Sequence, residues 1–384
     1  MVLHELISYD VLRMIWWLLV GVLLVGYAVM DGFDLGVGML LPFAGRNDLE
    51  RRVVINSVGP VWEGNQVWLV VGGGMIFAAW PQVYAVSFSG MYVAMFAILL
   101  GLILRPVGFK FRSKRPEAAW RARWDWVLCF CGVLPTFVFG VAMGNVLQGV
   151  PFRLEPDMQI YYTGTFMGLF SPFAVLCGLV SIAMLLMHGA AWLQVKSDGQ
   201  VAMRARRYGS LAALLTIALY VLAGMMLYQS VMGYQITSPV MPTGPSNPLL
   251  KSVGRQEGAW FANYAAHPHL FAVPALGIAG AALAFVCMLA RRARTAFLFT
   301  SVAIAGIVLS VGASMFPFIL PSSIDPRASL TVWDSSSSHL TLFILLVCAA
   351  IFLPIIMAYT SWVYSVMRGK VDAKAIAEDR GHAY

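Results

Sequence analysis

Residues 61–80 read VWEGNQVWLVVGGGMIFAAW. The stretch opens with a carboxylate, Glu63, and an amide pair, Asn65 and Gln66, set between two indoles, Trp62 and Trp68. It continues without a break into an apolar run with three consecutive glycines, a pattern tolerated inside a bilayer. An acid joined to a membrane-like run needs a reason, because charge within a spanning helix is costly.

The rest of the chain places this stretch in a membrane. Of 384 residues, 60% are hydrophobic and only 11% charged, with a mean hydropathy of +0.76. Soluble domains carry about a quarter charged residues, so a soluble globular fold is excluded. A spanning helix needs roughly 20 apolar residues. Nine runs meet this, over approximately 12–40, 54–80, 84–106, 124–148, 165–194, 206–232, 266–290, 295–320 and 339–367. The expected fold is all-α: a polytopic bundle of nine transmembrane helices forming one domain, 1–384. The first residues, MVLHELISYDVLR, lack a basic segment followed by a short apolar core, so the first run is expected to stay as a helix.

Orientation follows from lysine and arginine. The net charge is +8, but the charges fall in short loops and read as topology determinants, not as a nucleic-acid surface. Twenty of the 26 lie after the first, third, fifth and seventh runs and in the C-terminal tail, and five on the opposite side. This predicts an outer N-terminus and a cytoplasmic C-terminus. The five cysteines all sit in apolar runs and read as buried thiols, with no disulfide framework or zinc site.

Setting aside charges at the ends of the runs, four need explaining within the membrane: Asp31, Asp34, Glu63 and Arg105. Counted along an unbroken helix from Arg52, Glu63 is roughly 16 Å deep, near the bilayer middle, with Gln66 on its face. Two readings stay open: a carboxylate that ties helices together, or a proton relay. Asp31 and Asp34 share one face of the first helix. Arg105 reads either as a snorkelling arginine or as a counter-ion to one aspartate. Trp68 reads as core packing. No histidine is central: His4 and His382 are terminal, His267, His269 and His339 start outer helices, and His188 is near a cytoplasmic end. All read as interfacial or capping residues, which makes the chain a poor heme ligator. No nucleophile elbow, P-loop, HExxH or CxxC is present, so no catalytic or metal residue is assigned in this chain alone.

The segments MIWWLLVGVLL, DGFDLGVGML, GRNDLERRVVINSVGPVWEGNQVWL, FAAWPQVYAVSFSGMYVAM, LRPVGFKFRSK, GNVLQGVPF, MFPFILPSS and SLTVWDSSSSHLTL occur in order from about residue 9 to the end. Together they resemble subunit II of the cytochrome bd-type ubiquinol oxidases. The resemblance implies a bacterial inner-membrane terminal oxidase that reduces dioxygen with quinol and builds proton-motive force without pumping. It implies a partner, subunit I, that ligates two b hemes and one d heme, and a chain inactive without that partner. In some relatives small single-helix subunits attach, or a structural quinone is bound in subunit II. Position by position, it makes Glu63 the relay carboxylate of a cytoplasmic proton path, where the best-known relatives have Asp. It puts Asp31, Asp34 and Arg105 near the path entrance and Trp68 near a dioxygen route, and it gives Asp125 no role. A proton-coupled secondary transporter is the alternative, as intramembrane acids would suit one. The odd helix count and the motif match weigh against it.

Overall fold

The structure, a computed structural model, describes residues 3–371 and Ile376; Lys374, Arg380 and His382 lie outside the described residues. Its helices are α1 (Tyr9–Ala44), α2 (Asp48–Asn56), α3 (Trp62–Ala79), α4 (Pro81–Gly90), α5 (Tyr92–Phe111), α6 (Ala118–Gln148), α7 (Pro172–Lys196), α8 (Gly199–Gln229), α9 (Ala262–Ala266), α10 (Ala272–Leu289), α11 (Ala293–Met315) and α12 (His339–Val366). Three short antiparallel hairpins join them: β1 (Phe152–Leu154) with β2 (Ile160–Tyr162), β3 (Met232–Ile236) with β4 (Val253–Glu257), and β5 (Phe318–Leu320) with β6 (Leu330–Thr331). Eight helices among the described residues are long and apolar enough to cross a membrane: α1, α5, α6, α7, α8, α10, α11 and α12.

The expected run 54–80 departs from one continuous helix. Its first residues end α2, residues 57–61 form a turn, and only then does α3 begin. Gly59 and Pro60 explain the break, since proline disfavours a helical residue before it. All of the turn but Pro60 is buried, and Ser57 is satisfied on both sides. Ser57 Oγ donates to Val54 O, and Trp192 Nε1 donates to Ser57 O at 3.0 Å. Irregular backbone at such a position is tolerated only when covered in this way. The expected run 84–106 is likewise divided, into α4 and α5.

The two ends of the bundle differ in chemistry. One gathers the basic segments: Arg204 pairs with Glu50 at 2.7 Å, Arg51 and Arg112 pair with Asp125, and Lys370 pairs with Asp198. The other gathers the hairpins. There Arg13, fully buried, donates to Ser336 Oγ and to two carbonyls of the 242–244 loop. Lys251 pairs with Asp334 at 2.8 Å and donates to Ser329 O at 2.6 Å. Burial lowers the Lys251 pKa, while Asp334 pulls it back up. α3 links the two ends, since Ser337 N donates to Ala79 O.

Between the ends, helices meet through small residues, as bilayer packing favours. A Cβ at Gly36 would fall 2.1 Å from Leu185 O, and one at Gly189 would fall 2.4 Å from the Gly36 carbonyl carbon, so α1 and α7 touch backbone to backbone. The thiols divide. Cys129 and Cys131 are buried and Cys177 and Cys287 half-buried, but Cys348 is exposed on α12, contrary to the expectation of a buried thiol. An apolar run does not distinguish a lipid-facing position from a core one.

Candidate functional site

Four helices converge on one buried polar cluster. Asp31 and Asp34 project from one face of α1 and are 0% and 4% exposed. Arg105 of α5 is 3% exposed, and its Nη2 lies 2.9 Å from Asp31 Oδ1. The same nitrogen donates to Gln66 Oε1 at 3.0 Å. The Trp62 ring lies 5.4 Å from the guanidinium carbon, within cation–π range. Asn65 Nδ2 donates to Asp34 Oδ2 at 2.8 Å, and Asn65 Oδ1 accepts from Tyr364 of α12 at 2.7 Å. The first turn of α3 therefore points both amides inward, one to each aspartate system.

The charges in this cluster do not cancel. Two carboxylates face one guanidinium, so the cluster is neutral when it holds one proton. Asp31 Oδ2, Asp34 Oδ1 and Arg105 Nε and Nη1 are buried without a partner among the described residues. A cavity of about 20 Å3 touches Asp34 and Arg105 between Gly38, Val58, Phe109 and Gly132. That is room for one water molecule.

Glu63 is not drawn into the cluster. It lies exposed in the first turn of α3, and the depth counted along an unbroken helix fails because α2 is a separate element. Residues 63, 67, 70, 74 and 77 are all exposed. That spacing of four, three, four and three is one stripe down a helix. Added Cβ atoms at Gly64, Gly72, Gly73 and Gly74 would meet nothing within 4 Å. Trp68 is half-buried and packs its ring over Gly26 of α1, where a Cβ would come within 2.8 Å of it.

Asp125 forms a second cluster that the sequence did not signal. It is 1% exposed, with Arg112 Nε at 2.6 Å and Arg51 Nη1 at 2.9 Å. Arg112 also reaches Asp48, which pairs with Arg121. This lattice joins α2, α6 and the end of α5. His188, expected at an interface or a cap, is instead fully buried. One ring nitrogen lies 2.8 Å from Thr300 Oγ1 and the other 2.9 Å from Val29 O. Both nitrogens are committed, so His188 does not fit an axial heme ligand. Among the described residues no group of three His, Cys, Asp or Glu is placed to hold a metal ion.

Residues 12–367 match the family described as cytochrome bd terminal oxidase subunit II. The chain is 48% identical over 379 residues to cytochrome bd-I ubiquinol oxidase subunit 2 of Escherichia coli, covering 99% of this chain and 100% of that one. It is 48% identical, with the same coverage, to a probable cytochrome oxidase subunit 2 of Haemophilus influenzae. Cytochrome bd ubiquinol oxidase subunit 2 of Bacillus subtilis is 31% identical over 370 residues, covering 94% of this chain and 97% of that one. A chain from the structure of bd oxidase from Geobacillus thermodenitrificans has the same fold, with a TM-score of 0.70 at 17% identity, covering 93% of this chain and 99% of that one. Full-length identity and the family match over nearly the whole bundle lead to one conclusion: the chain belongs to the cytochrome bd terminal oxidase subunit II family.

Proposed function

We propose that this chain is the non-heme-ligating subunit of a quinol:dioxygen oxidoreductase of the bacterial inner membrane, inactive without a heme-bearing subunit I. Family membership and the ubiquinol oxidase names of its relatives support this reading. The b and d hemes belong to subunit I and supply the electron and dioxygen chemistry. The commitment of both His188 nitrogens in this chain accords with that division. In this reading α3 is the ninth crossing, the basic end faces the cytoplasm and the hairpin end faces outward.

The chain's own part is to hold subunit I and to carry protons from the cytoplasm. The observation that carries this is the division of α3. Asn65 and Gln66 face the buried aspartate–arginine cluster, while Glu63 opens an exposed stripe with Val67, Val70, Gly74 and Phe77. Gln66 is one helical step from Glu63 and accepts from Arg105, so the internal cluster and the outward acid share a neighbour. We place subunit I on this stripe, where docking encloses Glu63. Asp31, Asp34 and Arg105 form the inner side of this path, and Glu63 passes the proton to the partner on the outer side. Trp68 closes the α1–α3 contact next to this route.

The test uses the purified complex. Glu63→Gln removes the titrating group at constant shape, and we expect oxygen reduction to slow by about a hundredfold. The reduced-minus-oxidised heme spectrum should be unchanged, and Glu63→Asp should restore turnover. Normal turnover in Glu63→Gln defeats the relay role. A transporter, the other reading, would purify colourless and without a heme-bearing partner.

A further inference from the structure

The basic end holds a cavity of about 950 Å3 between the α7–α8 turn, the α10–α11 turn and the end of α12. Seven basic side chains line it against one acid, Asp198. Two are already engaged: Lys370 bonds Asp198, and Lys196 donates to Met367 O at 2.6 Å. The guanidinium groups of Arg206, Arg291, Arg292, Arg294 and Arg368 have no carboxylate partner among the described residues. Elsewhere at this end the buried arginines are matched, as Arg112 is with Asp125. Five guanidinium groups without a carboxylate partner among the described residues share this one hollow, four of them exposed.

Backbone features act in the same direction. The 31-residue α8 begins at Gly199 and the 23-residue α11 at Ala293, and both starts line the cavity. Neither has a side-chain cap: Asp198, at the start of α8, is turned to Lys370, and Arg292, at the start of α11, has no side-chain acceptor to offer. Free N–H groups and the positive dipole ends of both helices therefore add to the field. Arg291 adopts φ +59, a conformation that glycine takes readily and L side chains disfavour. A large cationic side chain holds the position where glycine is cheapest.

The walls are not purely polar. Trp192, Met203 and Tyr364 line the same space. The helix surfaces beside it are exposed and apolar, with Leu289, Leu298 and Val366 each 59% exposed. A cationic mouth above an apolar flank suits a charged headgroup with attached acyl chains better than a soluble ion. We propose that this cavity binds the phosphodiester headgroup of an anionic phospholipid from the adjoining leaflet. The occupant would touch Tyr364, whose hydroxyl reaches Asn65, and so would lie one side chain from the buried cluster.

Native mass spectrometry tests this on the protein purified from membranes with its natural partners and then stripped of lipid. Added phosphatidylglycerol should form a saturable adduct that phosphatidylcholine does not. The triple variant Arg291→Gln, Arg294→Gln, Arg368→Gln should weaken that adduct by about a hundredfold. Lysine at the same three positions should retain it, which separates lost charge from lost folding. Removing the same number of charges at exposed sites of the same end, with Arg46→Gln, Arg115→Gln and Arg123→Gln, should change it less than threefold. Equal weakening in the two glutamine variants, or equal binding of phosphatidylcholine, overturns the proposal. Saturation by inorganic phosphate at lower concentration than phosphatidylglycerol also overturns it, assigning the site to a soluble phosphate instead.

Discussion

Replacing Arg105 with Met removes the cation paired with Asp31 while keeping a side chain of similar length. The side chains of Arg105 and Asp31 are 4% and 0% exposed and 2.9 Å apart, so water screens neither. Breaking one partner of a buried pair costs about 3–5 kcal/mol, because the other charge is left behind uncompensated. For a chain of this size roughly 2 °C of melting temperature corresponds to 1 kcal/mol, so the midpoint should fall by roughly 6–10 °C. Intrinsic tryptophan fluorescence of the purified complex during a thermal ramp reads this, and Trp62, beside Arg105, is a local reporter. The second arm is the double variant Asp31→Asn, Arg105→Met. With the paired carboxylate gone as well, only Asp34 is left without the cation, and at least half of the lost stability should return. A single variant melting within about 2 °C of the parent, or a double variant no better than the single, would refute the claim that this pair holds α1 and α5 together.

Two further outcomes follow from contacts away from the cluster. Glu50 pairs with Arg204 and accepts from Arg46 N; desolvation raises its pKa, but the bonds from Arg204 and Arg46 outweigh this and hold it below the ordinary glutamate value. A depressed carboxylate stabilises the fold above its unfolded pKa, and that contribution is lost as pH falls through the folded value. Glu50→Gln should therefore lower the melting temperature at pH 7 and leave a smaller difference from the parent below about pH 4, as paired pH-series melts will show. Gly36→Ala should push α1 from α7, costing about 1–3 kcal/mol and reducing the yield of folded protein, because its Cβ would enter the space of Leu185 O.

Much of the bundle is legible in the sequence because apolar length has one dominant meaning. The runs at α1, α6, α7, α8, α11 and α12 need no tertiary information. The break before α3 was also present in the residues, as Gly59–Pro60, but the valines around it masked the signal. The site was legible only in parts. That Asp31 and Asp34 share a face follows from helical spacing, yet the choice between a snorkelling Arg105 and a counter-ion depended on whether α1 and α5 touch. Tyr364 and Asn65 are 299 positions apart, and no local pattern joins them. Asp125 sits at the very start of its apolar run, where a charge reads as interfacial, so its burial between Arg51 and Arg112 depended on how three separate segments fold back.

The placement of Glu63 argues that the α3 stripe is an interface and not a lipid-facing surface. A chain under pressure to avoid charge in lipid would place such an acid inward, as it places Asp31 and Asp34. Here the inward positions of the same helical turn are taken by neutral amides, and the acid is turned out. The stripe below it carries Val67, Val70, Gly74 and Phe77, and Gly74 leaves the backbone open there. In membranes such surfaces associate through close backbone approach, because lipid tails offer apolar side chains no incentive to leave them. An outward acid at the head of this stripe is thus costly against lipid and useful against a polar partner. The α5 and α12 faces differ, with Phe96 and Ile103 on one and Ile355 and Trp362 on the other exposed and no acid among them. Cysteine crosslinking can separate the two kinds of surface. A cysteine at Val70 should capture the heme-bearing subunit in native membranes, while one at Ile103 should not, and the reverse result would move the interface off α3.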